Sequence, residues 1–164
     1  TCNPSEAYPV TLGSNENDNV LFFWSGHGTQ QGWKWKEEED LNADFARAMF
    51  SDMRFRKMFA IVETCYSGVV AQDCTGIPGL LMMTAANPYE TSKADAFDNE
   101  LQVYLSNTFT SSILSWFERN PNTVIRDLYL HAFDKTNGSH VMVYNSDYYG
   151  NLYWNDMSEY YPGI

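Results

Sequence analysis

Val20-Leu21-Phe22-Phe23-Trp24 is an unbroken run of apolar residues, and Ser25-Gly26-His27-Gly28 stops it abruptly. A run of β-formers without alternation reads as a strand buried on both faces, and hence as part of a parallel sheet lying under helices. Leu41, Phe45, Ala48 and Met49 follow at helical spacing and predict an amphipathic helix over about 41–53. Lys57 to Glu63 is a second buried strand, so this part of the chain is a βαβ unit with the usual right-handed crossover. A third strand is expected from Gly79 to Thr84, broken by Asn87-Pro88. Ser106 to Arg119 carries Phe109, Ile113, Leu114 and Phe117 at helical spacing. Thr123 is placed to cap another helix, with Val124, Leu128, Leu130 and Phe133 on or near one face. Asn137-Gly138 reads as a turn and Val141 to Tyr144 as a fourth strand. The order β-α-β-β-α-α-β specifies an α/β domain with a mostly parallel sheet over 19–164, preceded by a polar lead-in loop over 1–18. Gln30 to Glu39 is a mixed excursion, and Glu37 to Asp40 reads as a solvated acidic turn before the first helix. The tail from Asn145 has no legible period.

The 164 residues suffice for one domain with a real core, and 44% apolar content excludes wholesale disorder. With 10 Lys+Arg against 21 Asp+Glu, the formal charge of −11 argues against nucleic acid as a partner. It suits acidic surroundings, where protonation relieves self-repulsion. No stretch reaches the roughly 20 apolar residues of a membrane span. Thr1 to Glu6 lacks the basic start and apolar middle of a signal peptide, so the expectation is that a targeting segment was removed or that the chain begins inside a longer protein. Cys2, Cys65 and Cys74 make no disulfide framework; either Cys2 pairs with Cys74 or all three are free. The cysteines and the three histidines, His27, His131 and His140, lack the tight spacing of a metal site, so no metal is expected. No dinucleotide or phosphate-binding glycine loop and no Gly-x-Ser-x-Gly elbow occurs, and no cofactor is expected.

Ligands of parallel sheets bind at the carboxyl ends of the strands, which directs attention to Ser25-Gly26-His27-Gly28 and Thr64-Cys65-Tyr66-Ser67-Gly68. About one βαβ unit separates His27 from Cys65, so the two emerge at the same edge of neighbouring strands. An imidazole there can take the proton of a thiol and free the thiolate as a nucleophile. Gly28 lets the backbone come close to a substrate, and its N–H together with that of Cys65 could hold an oxyanion. The alternative is structural: a strand-end histidine and a buried cysteine.

Asn19 to Gly28, Phe55 to Gly68, Thr84-Ala85-Ala86-Asn87-Pro88-Tyr89-Glu90-Thr91-Ser92 and Thr136-Asn137-Gly138-Ser139-His140-Val141-Met142 resemble, in the right order, segments of the legumain (asparaginyl endopeptidase) family of caspase-like cysteine peptidases. A weaker resemblance is to the catalytic subunit of the GPI transamidase, which shares the fold and the Cys/His dyad. The resemblance implies a caspase-like sandwich and an endopeptidase acting on a peptide or protein substrate. It implies Cys65 as nucleophile, His27 as catalytic histidine, Gly28 in the oxyanion hole, Glu63 lining the S1 pocket, and Thr91 and Ser92 on that pocket's wall. Asn107 falls where the family has an aspartate that binds the amide of a P1 asparagine. An asparagine there keeps a carbonyl acceptor and adds a donor. Gly26 stands where legumains often carry an aspartate linked to ligase chemistry, and Tyr66 where the animal enzymes have an acid.

The family's domain has two further strands, and an asparagine orienting the histidine, ahead of the position of Asp18. The expectation is therefore a partner chain or segment from the same precursor that completes the sheet beside Val20–Trp24. A transamidase or ligase of the same family, or an inactive fragment serving as an interaction module, are the competing functions. By resemblance the compartment is secreted, endolysosomal or vacuolar, where Asn137-Gly138-Ser139 would be a glycosylation sequon.

Overall fold

The computed structural model describes residues 12–36, 39–100 and 103–160. Its centre is a four-stranded sheet in the order β1 (Asn19–Ser25), β5 (Lys57–Glu63), β6 (Leu80–Thr84), β9 (Met142–Tyr144). The first three are parallel in register and β9 runs antiparallel to β6, so the fold is α/β with a mostly parallel, mixed sheet. Period-two alternation divides β5 and β6 between two cores. Met58, Ala60, Val62, Leu80 and Met82 pack with Ala46 and Phe50 of α1 (Ala43–Asp52) and with Val70 and Ala71 of the short α2 (Gly68–Ala71). Phe59, Ile61, Leu81 and Met83 pack on the opposite face against Phe109 and Ile113 of α3 (Thr108–Arg119) and Ile125, Leu128 and Ala132 of α4 (Ile125–Lys135). Both central strands are thus buried on both faces, as their continuous apolar runs required.

β1 is different. Val20, Phe22 and Trp24 face the first core, but Leu21 and Phe23 are 42% and 52% exposed. The expectation of a strand buried on both faces fails here because the second core includes no residue of β1. Among the described residues β1 also pairs only with β5.

The excursion after β1 is a small antiparallel sheet of β2 (Gly28–Thr29), β3 (Gly32–Lys36) and β4 (Glu39–Leu41). What reads as an acidic turn is therefore partly strand: Asp40 pairs with the Lys34 ammonium at 2.7 Å and accepts from the Thr29 hydroxyl at 3.0 Å, while 37–38 lie outside the described residues. Because Leu41 belongs to β4, α1 begins two residues later, at Ala43, with the Asn42 side chain accepting from Phe45 N–H at 2.9 Å. That change of phase turns Phe45 and Ala48 to solvent and Ala46 and Phe50 inward. A second hairpin, β7 (Ala94–Asp98) and β8 (Val103–Asn107), leads into α3. Thr123 caps no helix; its hydroxyl accepts from the Trp116 indole at 2.8 Å, and Val124 precedes α4 without a side-chain cap. Leu114, Leu130 and Phe133 are exposed rather than buried. The tail forms α5 (Ser146–Tyr149) and a single 3-10 turn at Met157–Glu159, which bring Tyr149 and Met157 into the second core. Residues 12–18 carry no helix or strand, and 1–11 lie outside the described residues. No described helix is long and apolar enough to cross a membrane.

Candidate active site

β1 and β5 run parallel with Ser25 opposite Glu63, so the segments that follow them leave the sheet at the same edge. Gly26 N–H donates to Glu63 O at 3.0 Å, and the chain then enters β2 with His27 exposed to solvent. On the neighbouring strand, Thr64-Cys65-Tyr66-Ser67 turns into α2. Tyr66 takes a φ of +53°, a left-handed conformation that costs a bulky L-residue about 1–2 kcal/mol. Hydrogen bonds hold that turn in place: Tyr66 N–H to Glu90 O at 2.8 Å, Ser67 hydroxyl to Ala86 O at 3.1 Å, and Ala86 N–H to Ser67 Oγ at 2.9 Å. The Trp33 indole on β3 donates to Ser67 O at 3.2 Å, tying the histidine-bearing sheet to the cysteine turn. Gly28 presses directly on that turn. A Cβ there would fall inside van der Waals contact with Cys65 O and lie 2.9 Å from Thr64 Oγ1.

Cys65 is half-buried, with its Sγ 3.9 Å from both the carbonyl and the hydroxyl oxygen of Ser92. The imidazole of His27 makes no hydrogen bond to it or to any described residue. Glu63 is 1% exposed, and its Oε2 accepts from both the N–H and the hydroxyl of Thr110, each at 3.0 Å. Its Oε1 is buried without a hydrogen-bond partner among the described residues. Burial raises the Glu63 carboxyl above its ordinary range. Thr110, and the Ser92 hydroxyl that stands near without closing a bond, pull it only partway back. Thr91, next to Ser92 in the sequence, accepts from the Lys93 ammonium at 3.0 Å. Asn107 ends β8 and precedes α3, half-buried, with its side chain making no cap. Cys65, Glu63 and Ser92 therefore converge. Thr110 belongs with them and was not legible in the sequence, because nothing in its local pattern sets it apart from the other hydroxyl residues of Thr108 to Ser112. Cys74 is a free thiol buried in the first core and pushed up to about 12 by that burial; Cys2 lies outside the described residues. Among the described residues no cluster of His, Cys, Asp and Glu could hold a metal ion.

The sign of the Glu63 effect follows from linkage. A carboxyl whose folded pKa exceeds its unfolded one favours folding in the protonated form, and that advantage is lost as pH rises through the interval between the two values. Glu63→Gln removes the titration. The variant's melting temperature should gain on the wild type as pH rises from the ordinary carboxylate range towards neutrality. Melting curves over that range check it, and a difference that is flat or moves the other way contradicts the assignment.

A profile of the Peptidase C13 family matches residues 5–158. Legumain from Rattus norvegicus is 29% identical over 147 residues, covering 82% of this chain and 32% of that protein. A putative GPI-anchor transamidase from Caenorhabditis elegans is 28% identical over 111 residues, covering 65% of this chain and 34% of its own length. The GPI-anchor transamidase of Saccharomyces cerevisiae is 25% identical over 138 residues, covering 79% and 33%. The chain spans about one third of the length of these relatives. With a family profile that runs through both the His27 and the Cys65 segments and on to the last strand, the chain belongs to the Peptidase C13 family.

Proposed function

We propose that the chain carries the reacting groups of a legumain-type cysteine endopeptidase. The observation that carries this reading is the contact of the Gly28 backbone with the Cys65 turn, at the carboxyl ends of two parallel strands in register. Cys65 Sγ, deprotonated by His27, attacks the scissile carbonyl carbon. The carbonyl oxygen becomes an oxyanion facing the N–H groups of Gly28 and Cys65. The C–N bond then breaks as His27 returns the proton to the leaving amine, leaving a thioester on Cys65. Water attacks the thioester, with His27 again taking a proton, and the acid is released. Among the described residues β1 pairs only with β5 and the His27 imidazole has no hydrogen-bond partner, which suits a further segment of the same precursor that pairs beside Val20–Trp24 and orients His27.

The S1 pocket in this reading has Glu63 at its floor and Thr91, Ser92 and Asn107 on its walls. Glu63 Oε1, without a hydrogen-bond partner among the described residues, suits a donor from the substrate. The side-chain amide of a P1 asparagine supplies one and pairs with Asn107 as well; an arginine could also pair with Glu63. A pocket that leaves buried polar groups unpaired rejects an apolar P1 by about 10⁴-fold or more. A fluorogenic library scanned over P1 should therefore show asparagine first and leucine and phenylalanine at background. Cleavage only after apolar residues overturns the pocket. Because GPI-anchor transamidases match over much of the same chain, the assay is repeated with hydroxylamine. Hydroxamate as the dominant product assigns transfer to an amine rather than hydrolysis.

A further inference from the structure

Glu90 collects more donors than the turn around it needs. Its Oε1 accepts from Asn87 N–H at 2.9 Å and from His140 N–H at 2.7 Å, and its Oε2 lies 2.8 Å from His140 Nδ1. Its own carbonyl accepts from Tyr66 N–H at 2.8 Å, in the strained residue directly after Cys65. Two residues further on, Ser92 stands against Cys65 Sγ. The turn that carries His140 is fixed in its turn by the Ser139 hydroxyl on Ala85 O at 2.7 Å. One residue thus joins three segments that are remote in sequence: its carboxylate ties the 85–93 loop to the turn before β9, and its main-chain carbonyl holds the cysteine turn.

We propose that Glu90 and His140 form a clasp that fixes Tyr66 and Ser92 on either side of Cys65, and so act as positioning residues for the thiol. As a catalytic role it rests on the cysteine-peptidase reading, but its geometry does not. Burial alone would raise the Glu90 carboxyl; the donors from Asn87 and His140 outweigh it and hold the group below its ordinary range. The other ionisable groups around the clasp are Tyr66, Tyr89 and Tyr144, and Lys93, whose ammonium is on Thr91. Tyr144 is pushed up to about 12, mainly by burial, so it remains neutral through the range tested.

Glu90→Gln keeps the shape and the acceptor but replaces Oε2 with an NH₂ facing His140 Nδ1. The NH₂ cannot stand in for Oε2 as an acceptor, so an Nδ1–H there loses its partner. In the intact chain, amide exchange at Tyr66, whose N–H is held by the main-chain oxygen of Glu90, should speed up by about tenfold in Glu90→Gln, because losing the charge-assisted bond to His140 loosens that carbonyl. Amides of β5 and β6 should be unchanged. kcat should fall in parallel with little change in KM, and His140→Ala should reproduce the Tyr66 effect, with little further change when the two substitutions are combined. Tyr66 exchange equal to wild type at every pH overturns the clasp, whatever the turnover. Altered exchange in a chain that never cleaves peptide leaves the clasp standing and overturns the peptidase reading. Altered exchange with unchanged kcat overturns the positioning role.

Discussion

Cys65→Ala should abolish peptide turnover, to a background roughly 10⁶-fold down, the scale on which removal of a nucleophile acts. His27→Ala should cost about 10²–10⁴-fold, the usual contribution of a general base. Neither change should move the melting temperature much. His27 is exposed and Cys65 half-buried, and neither belongs to the two cores that hold the sheet. Cys74 provides the contrast. It is fully buried in the first core, and burial keeps it a protonated thiol at neutral pH. Cys74→Ala should therefore lower stability and leave turnover per folded molecule intact. Turnover of a fluorogenic peptide, measured beside a thermal melt for each variant, separates the two cysteines. Near wild-type turnover in Cys65→Ala, or its loss in a folded Cys74→Ala, shows that the nucleophile is misassigned.

The parts of the fold that can be read from the chain are those where one physical signal acts alone. Met58 to Val62 and Leu80 to Met83 are apolar without interruption because helices cover both faces, and their bounds agree with the structure to within a residue. β1 carries the same signal yet is half open, since an apolar run reports what its residues can bury and not what lies beside them. The small sheet after His27 was missed although Trp33-Lys34-Trp35-Lys36 alternates strictly and follows a glycine. Those strands are too short to outweigh the polar residues around them. Phe45 was misplaced by counting the helical phase from Leu41, a strand residue.

The site divides in the same way. The segments that hold His27 and Cys65 were legible as neighbours because each follows one of two parallel strands in register, whose ends the sheet topology puts at one edge. Thr110 and the Glu90–His140 pair were not, because their partners are distant in sequence and the hydroxyl or carboxylate that matters looks like any other in its neighbourhood. The resemblance of motifs implies a pocket role for Glu63, but it could not show that Thr110 ties down one of its oxygens while the other has no partner among the described residues.

Gly28→Ala should be far more damaging than the same change at Gly26. The two glycines that flank His27 differ sharply in their surroundings. A Cβ at Gly26 meets nothing within 4 Å, whereas one at Gly28 meets the backbone oxygen of Cys65 and, at 2.9 and 3.0 Å, the Oγ1 and Cβ of Thr64. These are a main-chain atom and the rigid start of a β-branched side chain, so no rotamer change relieves the clash. The requirement is steric rather than conformational, because Gly28 does not sit at positive φ. The β2 strand and the cysteine turn must move apart, by more than about 1 Å to regain ordinary contact distance. Overpacking of this kind costs about 1–3 kcal/mol of stability. A displacement of 1 Å between reacting groups costs about 10²-fold in rate, and here it opens the gap between the histidine segment and the thiol. Gly26→Ala, one residue before the same histidine, should keep stability and turnover close to wild type. Paired melts and kcat measurements on the two variants decide it. Equal effects at both positions show that the glycines serve chain flexibility around His27, and that the close approach of Gly28 to Cys65 is not what assembles the site.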